Sequence, residues 1–368
     1  MLVPKLRFKE FNNEWKTFKI QDTFDNISIK NCPNMTILTI IQGHGTIPRN
    51  QSNRNIIFDE EKSRTYKMVN KKDFIIHLRS FEGGLEMSNH NGIVSPAYTI
   101  IRGKDIVIPL FFKYYFRTNK FINSILSKSV EGIRDGKQIS YNQLKDFYIP
   151  VPTLEEQTKI ANFLSLIDRK IELQEKLVEN LNLYKKGLLK KVFSNNLGWK
   201  SAKLGDLFEI SASGDISKDR VSNVKTNTFK YPVYSNSLID NGLFGYTDTY
   251  KIDGNTITVT GRGDIGFAIP RFEKYYPIVR LLVLKSNNMN NVFFANLINY
   301  TKIIIESTGV PQLTAPQLKS VLVKYPSIEE QNRIANLFTS LDKKIELETK
   351  KLQDLKTYKK GLLQKMFI

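Results

Sequence analysis

The sequence predicts an α+β protein assembled twice over: two globular mixed α/β segments and two long helices, related by an internal pseudo-twofold repeat. Three observations carry this. Residues 155–193 recur at 329–367 without a gap, and 21 of the 39 positions are identical. The borders of the globular segments match as well, WKTFKIQDTFDN (15–26) with WKSAKLGDLFEI (199–210), and LKDFYIPVPTLEEQ (144–157) with LKSVLVKYPSIEEQ (318–331). Between these borders the interiors differ almost completely, which describes one scaffold presenting two different surfaces.

The first segment, 1–152, opens with PKLRFKEFNNEW and alternates β-rich runs with polar loops. Strands are expected at 36–41, 74–78, 98–101 and 106–108 from their β-branched and aromatic content. The loops GHGTIPRNQSNRN (43–55) and EGGLEMSNHNGIVSP (82–96) are rich in Arg, Asn, Gln and His. A helix with an aromatic apolar face is expected at 110–127, and GIRDGKQIS (132–140) is a tight polar loop.

Each long helix starts from one signal: Thr153 or Ser327 follows a proline, with Glu156 or Glu330 three residues on, a capping box. Apolar residues at 160, 164, 167, 171, 178, 181, 184 and 188, repeated at 334, 338, 341, 345, 352, 355, 358 and 362, lie on one helical face. Unbroken, 39 residues reach roughly 58 Å at 1.5 Å each. Gln174 and Glu348 interrupt the seam at matched positions, as polar residues that fix register do. Gly187 and Gly361 are expected ends or bends.

After the linker SNNLGWK (194–200), the second segment runs to Tyr325, with strands expected at 256–260, 267–269 and 278–284, a helix at 292–300 and a loop at 307–314. The chain ends at Phe367-Ile and carries Phe11-Asn-Asn-Glu-Trp15 near its start, so joining its ends nearly restores the linker between Phe193 and Trp199. A closed ring with the termini close in space is expected.

Composition bounds the function. The 368 residues are 41% hydrophobic and 25% charged, ordinary for a folded chain of two or three domains. A lone cysteine, Cys32, excludes an internal disulfide framework, and no signal pattern or 18-residue apolar run is present, so a cytoplasmic protein is expected. The net charge is +19, of which the repeated helices carry only +2 and +3. The remaining +14 lies in the rest of the chain and points to nucleic acid, whose phosphates clustered Lys and Arg neutralise.

Catalytic signals are missing. Gly261-Arg-Gly-Asp-Ile-Gly266 matches a dinucleotide fingerprint, but FAIPRF follows where a helix should begin. A glycine-rich hairpin carrying Arg262 to a ligand is the better reading. There is no nucleoside-triphosphate loop, no Cys/His cluster, and no Asn-Pro-Pro or Asp-Pro-Pro run. His44, His77 and His90 lie at no metal-ligand spacing. The chain is expected to do no chemistry itself.

PKLRFKEFNNEW at the start, paired helices that begin P-x-[LI]-E-E-Q and reach YKKGLL, and two dissimilar segments between them resemble the specificity subunits of type I restriction-modification enzymes over the whole chain. The resemblance implies two target recognition domains, each reading half of a bipartite DNA sequence, held apart by two antiparallel coiled-coil helices. It implies domains at 1–152 and 197–325, with spacer helices and linker at 153–196 and 326–368. It further implies two modification subunits docked on the helices, bringing S-adenosylmethionine for adenine-N6 methylation, and restriction subunits that use ATP and Mg. Competing readings are a stand-alone DNA methyltransferase or nuclease, and a coiled-coil adaptor that binds DNA without reading sequence.

Base-contacting residues do not carry over from the family, so candidates rest on chemistry: Arg suits guanine, Asn and Gln suit adenine, and Lys or Arg hold phosphates. They are Arg49, Asn50, Gln51, Arg54, His90 and Arg134 in the first segment, and Arg220, Asn236, Arg262, Arg271 and Gln312 in the second. A second apolar set on the helices, Phe163, Leu173, Leu183, Leu337 and Leu347, is the candidate docking face for partner subunits.

Overall fold

The structure, a computed structural model, describes residues 3–32, 34–52, 63–130, 139–301, 303 and 311–368. It divides into two compact units, Met1–Glu175 with Lys351–Ile368, and Lys176–Lys350. The helices Leu154–Ser194 and Ile328–Met366 each contribute one half to each unit. Within the first unit the start of one helix lies beside the end of the other, joined by Lys359–Asp168 at 2.5 Å and Lys356–Glu175 at 2.7 Å. In the second unit Lys185 pairs with Asp342, also at 2.5 Å. Asp168/Asp342 and Lys185/Lys359 are matched repeat positions, so each unit makes the same antiparallel contact with the helices exchanged.

These pairs correct the seam. Tyr184 and Tyr358 are 63% and 54% exposed, and the next inward position after 181 and 355 is Lys185 or Lys359. A strict 4-3 alternation demands it, and the long lysine stem covers apolar surface while its ammonium reaches the facing aspartate. Gly187 and Gly361 neither end nor bend their helices. A Cβ at either would meet nothing within 4 Å, and a helical glycine costs only about 1 kcal/mol, which the continuing seam outweighs. The N-caps form as expected, with the N–H groups of Glu156 and Glu330 donating to Thr153 and Ser327 at 3.3 and 3.4 Å. The Glu156 carboxylate does not turn back on Thr153; it is buried against the Arg7 guanidinium, at 2.7 and 2.8 Å.

The matched borders pair with each other. Lys16–Lys19 runs antiparallel to Tyr148–Val151, and Lys200–Lys203 to Leu322–Tyr325, so each segment is closed by a two-stranded ribbon where its helix begins. Inside, the two units share a sheet order despite their unlike sequences. In the first it is Phe24–Ile27, Thr99–Gly103, Phe74–Ile76, Glu86–Met87; in the second, Glu209–Ala212, Leu282–Lys285, Thr256–Val259, Ala268–Arg271; every neighbouring pair is antiparallel. A helix follows each sheet, Pro109–Tyr115 or Asn291–Thr301.

One aromatic trio fixes each frame. Phe111 packs against Trp15 at 5.8 Å and Phe367 at 5.2 Å, and Phe293 packs against Trp199 at 5.7 Å and Phe193 at 5.6 Å. Phe193 and Phe367 are the last residues of the two repeats, so the end of each helix plugs the core of the unit it runs into. Leu6 N–H donates to Lys365 C=O at 2.8 Å, which brings the opening segment to the end of the second helix, as the expected closeness of the termini requires.

The repeated glutamine is a latch. Gln157, fully buried, accepts from Ile108 N–H at 2.7 Å and donates to the carbonyls of Ile106 and Pro152 at 2.8 and 2.9 Å. Gln331 likewise accepts from Asn290 N–H at 3.1 Å and donates to Pro326 at 3.0 Å. Each ties its long helix to the residues that open the neighbouring helix. Gln157→Ala leaves those buried groups unpaired, so a loss of about 2–4 kcal/mol is expected in urea unfolding of the full chain. A change below about 0.5 kcal/mol would remove the latch.

Other expectations shift for local reasons. Residues 106–108 form no strand: Val107 is buried and Gln157 holds the stretch as the lead-in to Pro109. The 110–127 helix breaks into Pro109–Tyr115 and Asn119–Ser124, because Thr118 caps the second by accepting from Phe121 N–H at 3.2 Å. Pro270 lies inside the strand Ala268–Arg271, tolerated because that strand is the sheet edge. Residues 278–281 are a turn, and the strand begins at Leu282. The greater part of the 132–140 loop and residues 307–310 lie outside the described residues.

Candidate nucleic-acid interface

In the first unit four candidates gather on one hairpin, Leu38–Ile41 with Gly45–Pro48. Arg49, Asn50 and Gln51 form the helical turn that follows it, and His90 lies against it with Nδ1 3.0 Å from the Thr46 carbonyl. The hairpin is held from beneath by Glu86, which is 0% exposed. Its carboxylate accepts from Gly43 and Gly45 N–H at 2.7 and 3.0 Å and from the Arg117 guanidinium, which also donates to Gly43 C=O at 2.8 Å. A Cβ at Gly45 would lie 2.5 Å from the Met87 carbonyl, and its φ of +87° suits only glycine, so this close approach fixes the GHG tip. Arg54 and Arg134 lie outside the described residues.

In the second unit Asn236, Arg262 and Gln312 come together at the glycine-rich turn after Thr256–Val259. Arg262 donates from Nε and Nη2 to Gln312 Oε1, at 3.2 and 2.9 Å. Arg280, which the sequence did not single out, donates to the same oxygen at 3.4 Å. Asn236 accepts from Gly261 N–H at 2.8 Å and donates to the Val279 carbonyl. Val279 and Arg280 both have left-handed backbones, φ 54° and 56°. That is an outlying conformation for a β-branched residue, worth about 1–3 kcal/mol of strain, and such strain is kept where a site needs it.

Arg271 faces inward. It is 4% exposed, its guanidinium carbon sits 3.6 Å from the Tyr234 ring centroid, and it donates to Thr258 Oγ1 at 3.1 Å and to the Asn241 carbonyl. Burial draws its pKa below the usual guanidinium value, against the opposing pull of the neighbouring tyrosines and Glu273. It supports the turn at Asp240 and Asn241, themselves left-handed at φ 48° and 54°. Arg220 is exposed on a separate turn, Lys218–Arg220, and pairs with Asp248 at 2.9 Å; that contact holds the Asp248 carboxyl below its usual range.

Of the helix candidates, Leu173, Leu183, Leu337 and Leu347 are exposed, the last at 60%, while Phe163 is half-buried edge-on against Phe8 at 5.7 Å. Among the described residues no group of three or more His, Cys, Asp and Glu could hold a metal, and no helix is long and apolar enough to cross a membrane.

Comparison with known proteins agrees with this arrangement. The family model described as the type I restriction modification DNA specificity domain matches twice, over residues 12–183 and 196–357. A Mycoplasma pneumoniae protein named for a type I specificity subunit is 28% identical over 270 residues, 69% of this chain and 72% of its own. The specificity subunit of the type I restriction enzyme MjaVIII from Methanocaldococcus jannaschii is 24% identical over 80% of this chain and 78% of its own. The crystal structure of a type I restriction-modification S subunit from M. genitalium shares the fold, with a TM-score of 0.65 at 18% identity over 100% of this chain and 99% of that one. A repeated frame, two unlike polar clusters and a family match over both halves make one conclusion: the chain belongs to the type I restriction-modification DNA specificity family, the non-catalytic recognition subunits of those systems.

Proposed function

We propose that each unit reads one half of a bipartite duplex DNA sequence and that the paired helices set the unread spacer between the halves. The observation that carries this is the frame made twice, by ribbon, aromatic trio and glutamine latch, around interiors that share a sheet order and differ in their polar clusters. Selection for one function on two targets leaves that pattern. On this reading 1–152 and 197–325 are the two target recognition domains, and 153–196 and 326–368 carry the spacer helices.

The basic excess outside the helices supplies phosphate contacts, and the exposed polar clusters supply base contacts. The outward leucines dock two modification subunits, which bring S-adenosylmethionine, and restriction subunits that bring ATP and Mg join that core. The assembly works in the cytoplasm, on the chromosome.

The test is an exchange of residues 20–147 for the equivalent segment of another specificity subunit, leaving the ribbon and helix start in place. Mapping of methylated adenine in cells is expected to show one half of the target changed and the other intact. Simultaneous change of both halves would mean that the units do not read independently.

A further inference from the structure

The polar cluster of the second unit has a chemistry narrower than its residue types suggest. Gln312 and Asn236 are the carboxamides suited to adenine, which needs one acceptor and one donor from the same side chain. Gln312 has its acceptor occupied by Arg262 and Arg280, and Asn236 is held at both ends by backbone, its oxygen by Gly261 N–H and its nitrogen by the Val279 carbonyl.

What the cluster turns outward is mainly donors, the remaining N–H groups of two exposed guanidiniums and of the two carboxamides. Three chain segments must converge to place them. A Cβ at Gly261 would lie 2.9 Å from the Arg280 carbonyl and 3.0 Å from that of Leu313, so glycine is needed for the approach. The left-handed pair Val279 and Arg280 turns the chain there, with the Asn236 side chain clamped on its carbonyl.

We infer that Arg262 and Arg280 read guanine in the half-site of the second unit, presenting donors to the O6 and N7 acceptors on its major-groove edge. Gln312 and Asn236 are positioning residues for that pair and read no base. This rests on the proposed function, since it assigns the base class to a surface that reading places on DNA.

The experiment is selection of binding sites from a randomised duplex library by the full chain, wild type and variants, at several salt concentrations. Wild type is expected to select guanine at one or two positions in one half of a bipartite motif. Arg262→Ala and Arg280→Ala should relax that preference by roughly tenfold or more, the other half unchanged. Arg262→Lys should relax it too, because a lysine keeps the charge but not the fork. Asn236→Ala should weaken preference at the same guanines and at no adenine, an effect that loss of stability alone would not localise.

Unaltered guanine preference in both arginine variants, with wild-type selection intact, overturns this assignment alone. So does uniform weakening across all sequences with a shallower salt dependence and rescue by lysine, which marks phosphate contacts. Loss of an adenine preference in Asn236→Ala or in Gln312→Ala would also overturn it, by making a carboxamide the reader. A wild-type chain that selects no sequence overturns the proposed function, and this assignment with it.

Discussion

Deleting residues 362–368 is expected to unfold the first unit and leave the second folded. Leu362, Met366 and Phe367 are each less than a tenth exposed and belong to the core built around Phe111, Phe112 and Tyr115. Emptying a large apolar side chain from a core costs about 2–5 kcal/mol, so losing three rivals a typical total of about 5–15 kcal/mol. Hydrogen exchange checks it: amides at 111–115 should lose protection while those at 293–298 keep theirs. Phe193→Ala should do the reverse in milder form, since Phe193 fills the matching place in the second core. Retained protection at 111–115 after the deletion would mean that the helix end is not part of that core.

Charging the outward leucines should abolish assembly without unfolding either unit. Leu173 and Leu347 are 58% and 60% exposed and occupy matched repeat positions, so Leu173→Glu with Leu347→Glu disturbs no core. If they dock modification subunits, each carboxylate is buried without a partner on binding, and weakening by more than about 100-fold is expected for the pair. Size-exclusion chromatography with light scattering of the co-expressed subunits decides it, with thermal unfolding as the control. A complex of undiminished size would place the docking surface elsewhere.

The repeat made much of the frame legible. Paired helices, segment borders and the approach of the chain's two ends all follow from residues that occur twice, and the structure pairs the two borders of each segment strand to strand. The predicted seam holds at every position but Tyr184 and Tyr358, where tyrosine is more apolar than the lysine beside it; only the facing Asp342 shows why the lysine turns inward. The common sheet order was not legible, because strands such as Phe74–Ile76 and Thr256–Val259 share burial and not sequence.

Within the polar clusters, residue type does not tell which groups the fold already engages. Asn236 is tied to backbone 25 and 43 residues away, and Arg271 is folded under a turn 30 residues before it. Arg280 lies in a stretch whose composition predicts a strand, where a left-handed turn stands instead. Long-range backbone contacts decide which polar groups remain for a ligand, and no local pattern reports them.

The division of the first unit between the two ends of the sequence also sets an order in time. Residues 176–350 are continuous and leave the ribosome as a complete unit, whereas residues 1–175 need the stretch at 351–368. At about 5–20 residues per second, the first 175 residues wait roughly 10–40 s for the last of their core to be synthesised. During that interval the aromatic face of Phe111 and Tyr115 lacks Phe367, so the half made first is finished last. Slowed translation through the second half should therefore raise aggregation of nascent chains through the first half, and early supply of residues 351–368 in trans should lower it.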